Sequence, residues 1–173
     1  MTQYPLTDMV RDATFSECGE YRYSLSRVWN DRGPQMTFIM LNPSVADQFH
    51  DDPTTAQCVK RVQREDYRRY GSYEAVNLFA LVSTYPLNLR DHLDPVGPQN
   101  NSYLHRACGR ADMVVVAWGK LGALQDRAAY VLDYILRGRP VWCLGINQDG
   151  SPKFPLRVPY KQGFVAYSPP DGH

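Results

Sequence analysis

The chain has 173 residues, enough for one good core and too few for two, because domains cluster at about 100 to 150 residues. Apolar residues make up 43% and aromatic ones 12%, as in a globular protein. The 19 basic side chains against 18 acidic ones leave a net charge of +1, which excludes holding a polyanion by bulk charge; a nucleic-acid role has to rest on a local patch or a small pocket.

The lead-in MTQYPLTDMVRDATF carries acid and proline where a secretory signal needs an unbroken apolar stretch, and no run approaches the ~20 apolar residues of a membrane span. A soluble, cytoplasmic protein is expected. Tyr21 to Trp29 alternates Tyr21, Tyr23 and Leu25 with Arg22, Ser24 and Ser26, the period of a half-exposed edge strand. After a turn at 30–34, Thr37 to Leu41 reads as the first buried strand and ends in Asn42-Pro43-Ser44. A loop then leads to a helix that Asp52 caps and Pro53 starts; the pattern predicts it to run to about Tyr70, with Gly71 stopping it. Ala75 to Leu81 is the second buried strand, interrupted by the amide of Asn77. A helix over Ser102 to Ala111 follows, and Met113 to Ala117 is the third buried strand, ending at Trp118-Gly119. Leu121, Leu124, Ala128, Val131, Ile135 and Leu136 recur at helical spacing up to Gly138, and Pro140 to Gly145 supplies the fourth buried strand. From Gln148 onward the chain is rich in Gly and Pro, with one short strand candidate at Phe164 to Tyr167.

Helical patterns separate most consecutive buried strands, which predicts a single α/β domain over residues 1–173. Its core, about 21–156, is expected to be a three-layer α/β/α arrangement with a mostly parallel four-stranded central sheet and an N-terminal edge strand. Residues 157–173 are expected to form a C-terminal cover or tail. In open α/β sheets ligands bind outside the carboxyl ends of the strands, which is where MTFIMLNPS leaves the sheet. Cys18, Cys58, Cys108 and Cys143 lack CxxC spacing and read as free thiols, and the four histidines share no ligand spacing. No metal and no cofactor is expected.

The segments YRYSLSRVW, IMLNPSVAD, DDPT, NLFAL, DPVGPQN, AWG and LGINQDGSPKFPL resemble the bacterial and phage family catalogued as domain of unknown function 1643, from about Tyr21 to Leu156. That resemblance implies no established activity. The order of motifs is also similar, more loosely, to the uracil-DNA glycosylase superfamily. That superfamily has a four-stranded parallel α/β/α core with a Pro-containing water-activating loop after its first strand and a base-reading Asn at the end of its second. A Trp-Gly pair can follow its third strand, and a His-Pro-Ser type loop follows its fourth. The likeness implies that Asn42-Pro43-Ser44, Asn77, Trp118-Gly119 and Lys153-Phe154-Pro155-Leu156 take those places around a nucleobase. Two positions depart from the first family's usual pattern: Phe154 stands where its last motif has histidine, and Val82 where an arginine is frequent. In glycosylases the histidine stabilises the departing base.

Hydrolysis of an N-glycosidic bond needs a pocket for the unstacked base, donors for the charge on the leaving base and a positioned water. Asn42 is the candidate to orient that water, with Asp47 or Asp52 to attract its proton or stabilise an oxocarbenium-like sugar. The competing reading of Asp52, and the favoured one, is a plain helix cap, and Asn42 reads also as a turn residue before proline. Pro43, Ser44, Trp118, Gly119 and Phe154 are candidate walls, with Phe49 or Phe79 as stacking faces. Asn77 is the candidate reader of a base edge, or a buried amide satisfied by backbone. Arg61, Arg64 and Arg68, at i, i+3 and i+7, are candidate phosphate contacts or one solvated helix face. There is no Walker loop and no GxGxxG. The expected partner is nucleic acid or a nucleobase-containing small molecule; the alternatives are a binding module without catalysis and a phage-related protein-interaction domain.

Overall fold

The run that contains Phe38, Ile39 and Met40 offers water nothing polar on either face, so it lies inside a sheet, hydrogen-bonded on both sides. The computed structural model describes residues 9–67 and 69–169. Its strands are β1 (Val10–Phe15), β2 (Arg22–Val28), β3 (Gln35–Met40), β4 (Ser72–Asn77), β5 (Met113–Val116), β6 (Trp142–Cys143) and β7 (Val165–Ala166). The α-helices among the described residues are α1 (Pro53–Val62), α2 (Asn100–Arg110) and α3 (Arg127–Tyr130). One sheet has the order β1-β2-β4-β3-β5-β6-β7. Its middle, β4-β3-β5-β6, is parallel; β1, β2 and β7 pair antiparallel.

Alternate residues of the parallel strands enter two apolar clusters. Ile39, Val76, Val114 and Val116 pack with Leu104, Ala107 and Cys108 of α2, whereas Phe38, Ala75 and Val115 pack with Cys58, Val59 and Val62 of α1. Helices therefore cover both faces, as the long crossovers of parallel strands require. No helix among the described residues is long and apolar enough to cross a membrane.

Several expectations change. The strand Tyr21 to Trp29 is not an edge strand: β1, hidden in the polar lead-in, pairs with it from Val10 to Phe15, so among the described residues the sheet has seven strands rather than four and an edge. The first helix ends at Val62 instead of near Tyr70. Tertiary contacts take over there: Tyr67 packs on Phe164 with ring centroids 4.9 Å apart and its hydroxyl accepts the Phe164 N–H. Gly71 has another reason to be glycine. A Cβ on it would lie 1.9 Å from the Asn30 carbonyl oxygen, so its small size lets the chain entering β4 pass against the β2–β3 turn. The helix expected over 121–136 breaks where Gln125 and Asp126 adopt φ of 54° and 52°, leaving short α3 and a wide turn at Val131–Ile135.

A buried cation holds the segment from Val158 to Gln162 against α1. Arg61, 1% exposed, donates to the carbonyls of Val158 (2.7 Å), Pro159 (3.0 Å), Tyr160 (3.1 Å) and Gln162 (3.1 Å). Arg61→Ala strands these carbonyls and is expected to lower stability by about 3 kcal/mol, given about 1.5 to 3 kcal/mol per bond to a charged group. Lys60→Ala, at an exposed neighbour, is expected to stay within about 0.5 kcal/mol of the parent. Chemical denaturation of the two variants reads both values; equal midpoints would contradict the clamp.

Candidate functional site

The loop that leaves β3 at Asn42 is fastened to β2 by two arginines. Arg27, fully buried, sends Nε and Nη2 to Asp51 Oδ1 at 2.8 and 2.7 Å, and Nη2 also to the Asp47 carbonyl at 2.6 Å. Arg11 of β1 adds a pair with Asp51 Oδ2 at 3.1 Å. Arg22 donates through Nη1 to the Ala46 carbonyl at 2.6 Å. The alternation of the sequence set Arg22 on the outer face with Ser24 and Ser26. A register shift opposite Phe15 slips that alternation, and Arg22 is 2% exposed against the same loop as Arg27.

A cavity of about 910 Å³ opens beside this loop. Its walls come from the loop after β3, the first turn of α1, the Ser83-Thr84 stretch after β4, the Trp118–Leu121 turn after β5 and the segment from Asn147 to Arg157 after β6. All four parallel strands thus feed it from their carboxyl ends, the place where α/β sheets take ligands. Six predicted residues meet here: Asn42, Ser44, Asp52, Trp118, Gly119 and Phe154.

Their partners limit what each can do. Asn42 donates through Nδ2 to the carbonyls of Ser83 (2.8 Å) and Pro43 (3.0 Å), tying the ends of β3 and β4 together and leaving Oδ1 as its group for a ligand. Asp52 does cap α1: its Oδ1 accepts the Thr55 N–H at 2.7 Å. It is also the one carboxylate among the described residues that line the cavity, so capping and site are not exclusive. Trp118 is 3% exposed and sits edge-on to Tyr167; a Cβ on Gly122 would come within 2.2 Å of its ring, so that glycine makes the ring's seat. Gly119, at φ 72°, bonds through its N–H to the Pro152 carbonyl at 2.9 Å and brings the Phe154 segment alongside.

Other candidates fall elsewhere. Asp47 folds back on its own turn, with Oδ1 accepting the N–H groups of Phe49 (2.7 Å) and His50 (2.8 Å), bonds that hold its carboxyl below the usual range. Phe49 is 72% exposed outside the cavity, and Phe79 lies wholly in the core of the α2 side. Pro43 is buried, and its carbonyl receives the Ser83 N–H. Arg61 has both Nη atoms engaged by four carbonyls, with its buried Nε unpartnered among the described residues, and Arg64 bonds Asp66 (2.8 Å) and the Tyr160 carbonyl (3.1 Å), so neither is arranged for phosphate. They are also off a common helix, since α1 ends between them. Arg68 lies outside the described residues.

Asn77 has a different standing. Its side chain is buried, and neither its Nδ2 nor its Oδ1 finds a partner among the described residues, so the backbone-satisfied reading does not hold. It does not line the cavity, but Met40, its pair across the β3–β4 ladder, does. Sequence reasoning missed Arg22, Ser83, Lys120, Asn147 and Arg157 as wall residues. Asn147 lies within LGINQDGSPKFPL and Arg157 just after it, Lys120 follows Trp118-Gly119, and Arg22 lies within YRYSLSRVW, so membership of or proximity to these motifs was the available signal.

Asp52→Asn keeps a capping oxygen and is expected to leave stability within a few tenths of a kcal/mol, whereas Asp52→Ala is expected to cost about 1 kcal/mol. Thermal and chemical unfolding of the pair checks this, and an equally unstable Asp52→Asn would contradict the capping geometry.

Comparison with known proteins adds one relation. A family model described as "Protein of unknown function (DUF1643)" matches residues 22–156. No curated protein and no solved structure gives a match.

Proposed function

The chain belongs to the DUF1643 family of proteins of unknown function, and from that premise we propose that its cavity takes a nucleobase joined to a sugar and hydrolyses the N-glycosidic bond between them. One observation carries the reading: Asn42, Ser44 and Asp52 meet Trp118 and Phe154 in a single cavity outside the ends of parallel strands. Two aromatic side chains in a wall with a few convergent polar groups are what a base and its sugar require, and the volume lies within the range of about 300 to 1,000 Å³ of ligand pockets. The parallel order β4-β3-β5-β6, with a proline loop after β3, supports the likeness to uracil-DNA glycosylases.

In this mechanism Asn42 Oδ1 and the Asp52 oxygen not engaged in capping hold a water. Asp52 takes its proton as the water oxygen bonds to the anomeric carbon and the C–N bond breaks. The bonding pair leaves with the base, and Lys120 is the wall cation that offsets the charge on it. Asn77, buried with donor and acceptor both unpartnered among the described residues, does not line the cavity, so in this mechanism the base is held by the wall residues alone.

Phe154 favours a second reading, recognition without hydrolysis, because an apolar ring lines the wall where the likeness leads one to expect histidine. Incubation with oligonucleotides bearing uracil, damaged or hypermodified bases, followed by alkaline cleavage at abasic sites, separates the two. Hydrolysis predicts strand breaks at one class of base and a loss of at least about 100-fold in Asp52→Asn, the usual scale of a lost general base. Base-specific binding with intact strands supports recognition alone, and neither binding nor cleavage contradicts both.

A further inference from the structure

Arg22 has a bonding pattern that the fold does not complete. Its residue is 2% exposed, one Nη donates to the Ala46 carbonyl, and its Nε is buried with no partner among the described residues. No described carboxylate lies within ion-pair distance of it. Arg27, five residues along the same strand, shows what a completed arrangement looks like, with Asp51 across its fork. A guanidinium keeps its charge at any ordinary pH, so burying one without a counter-charge is costly unless an anion arrives to complete it.

Arg22 also lines the cavity, and the surroundings there suit an anion. Thr54 and Thr55 of the first turn of α1 are in the wall, which sets the positive end of a ten-residue helix against the same space. Lys120 and Arg157 stand in the wall as well, so three cations face one carboxylate, Asp52. Burial lowers the guanidinium's affinity for its proton, with Tyr73 and then Asp52 acting the other way, yet neither bonds it.

We infer that Arg22 and the first turn of α1 form a phosphate subsite, and that the ligand of this cavity is a phosphorylated nucleoside rather than a free base or a nucleoside. The phosphate is either that of a free nucleotide or a phosphodiester of a strand; the chemistry recognised is the same. The inference deepens the nucleobase reading and rests on it for the base alone. Arginine suits the task because two of its N–H groups can engage two phosphate oxygens at once.

The experiment is a set of calorimetric titrations and thermal-shift measurements on the full chain with inorganic phosphate, nucleoside 5′-monophosphates, the matching nucleosides and a short single-stranded oligonucleotide. Monophosphates or the oligonucleotide are expected to bind at least tenfold more tightly than nucleosides, inorganic phosphate is expected to compete, and Arg22→Gln is expected to erase the advantage. Preference for monophosphate over oligonucleotide, or the reverse, identifies the source of the phosphate. Should Arg22→Gln fail to fold, Arg157→Ala, altered at an exposed position, is expected to reduce phosphate competition by several-fold. Nucleosides that bind as tightly as their monophosphates would overturn the inference while leaving the base reading intact. Phosphate binding indifferent to the attached base would support the subsite and overturn the base reading.

Discussion

The contact on which the site depends is the ion pair between the buried Arg27 of β2 and the partly exposed Asp51, together with the bond from the same guanidinium to the Asp47 carbonyl. The eleven-residue stretch from Asn42 to Asp52 has no secondary structure of its own, and an unsupported loop of that length would sample many shapes. A fully buried cation fixes it because leaving that cation without its carboxylate would be far more costly than ordering the loop. Arg22 adds a second fastening at Ala46, and Asn42 a third at Ser83. Asp52 then starts α1 in the wall of the cavity with its Oδ1 engaged in capping.

The sheet explains why so many polar groups arrive at one place. Parallel strands present all their carboxyl ends on one edge, so the loops after β3, β4, β5 and β6 converge without any being long. Among the described residues folding leaves the Arg22 Nε without a partner in that wall, and the Asn77 amide without one outside it, at the ladder position paired with Met40. Buried donors and acceptors without partners lower stability, and such groups cluster where a ligand completes them. The phosphate subsite draws on the cation.

Much of this was legible in the sequence. Continuous apolar runs marked the places of the four parallel strands, though β4 runs Ser72–Asn77 rather than Ala75–Leu81 and β6 keeps only Trp142–Cys143 of the expected Pro140–Gly145, and the Asp52-Pro53 start of α1 followed from local capping chemistry alone. The convergence of Asn42, Ser44, Asp52, Trp118, Gly119 and Phe154 followed from their positions at strand ends. What escaped depends on contacts distant in sequence. The end of α1 is set by Tyr67 meeting Phe164, the burial of Arg61 by carbonyls almost a hundred residues away, and the inward turn of Arg22 by a register shift against β1. Periodicity misled at 121–136 for a related reason: Leu121, Leu124 and Ala128 reach the core, but through a break at Gln125 and Asp126 that no spacing rule records.

The central claim is that this cavity receives a phosphorylated nucleoside in one orientation. A crystal structure of the protein soaked with a nucleoside monophosphate tests it most directly. The account predicts the base against Trp118 and Phe154, the anomeric carbon facing Asp52, and the phosphate within about 3 Å of Arg22, the distance of a charge-assisted hydrogen bond. Density for the nucleotide anywhere outside the cavity, or inside it with the phosphate away from Arg22, would contradict the account.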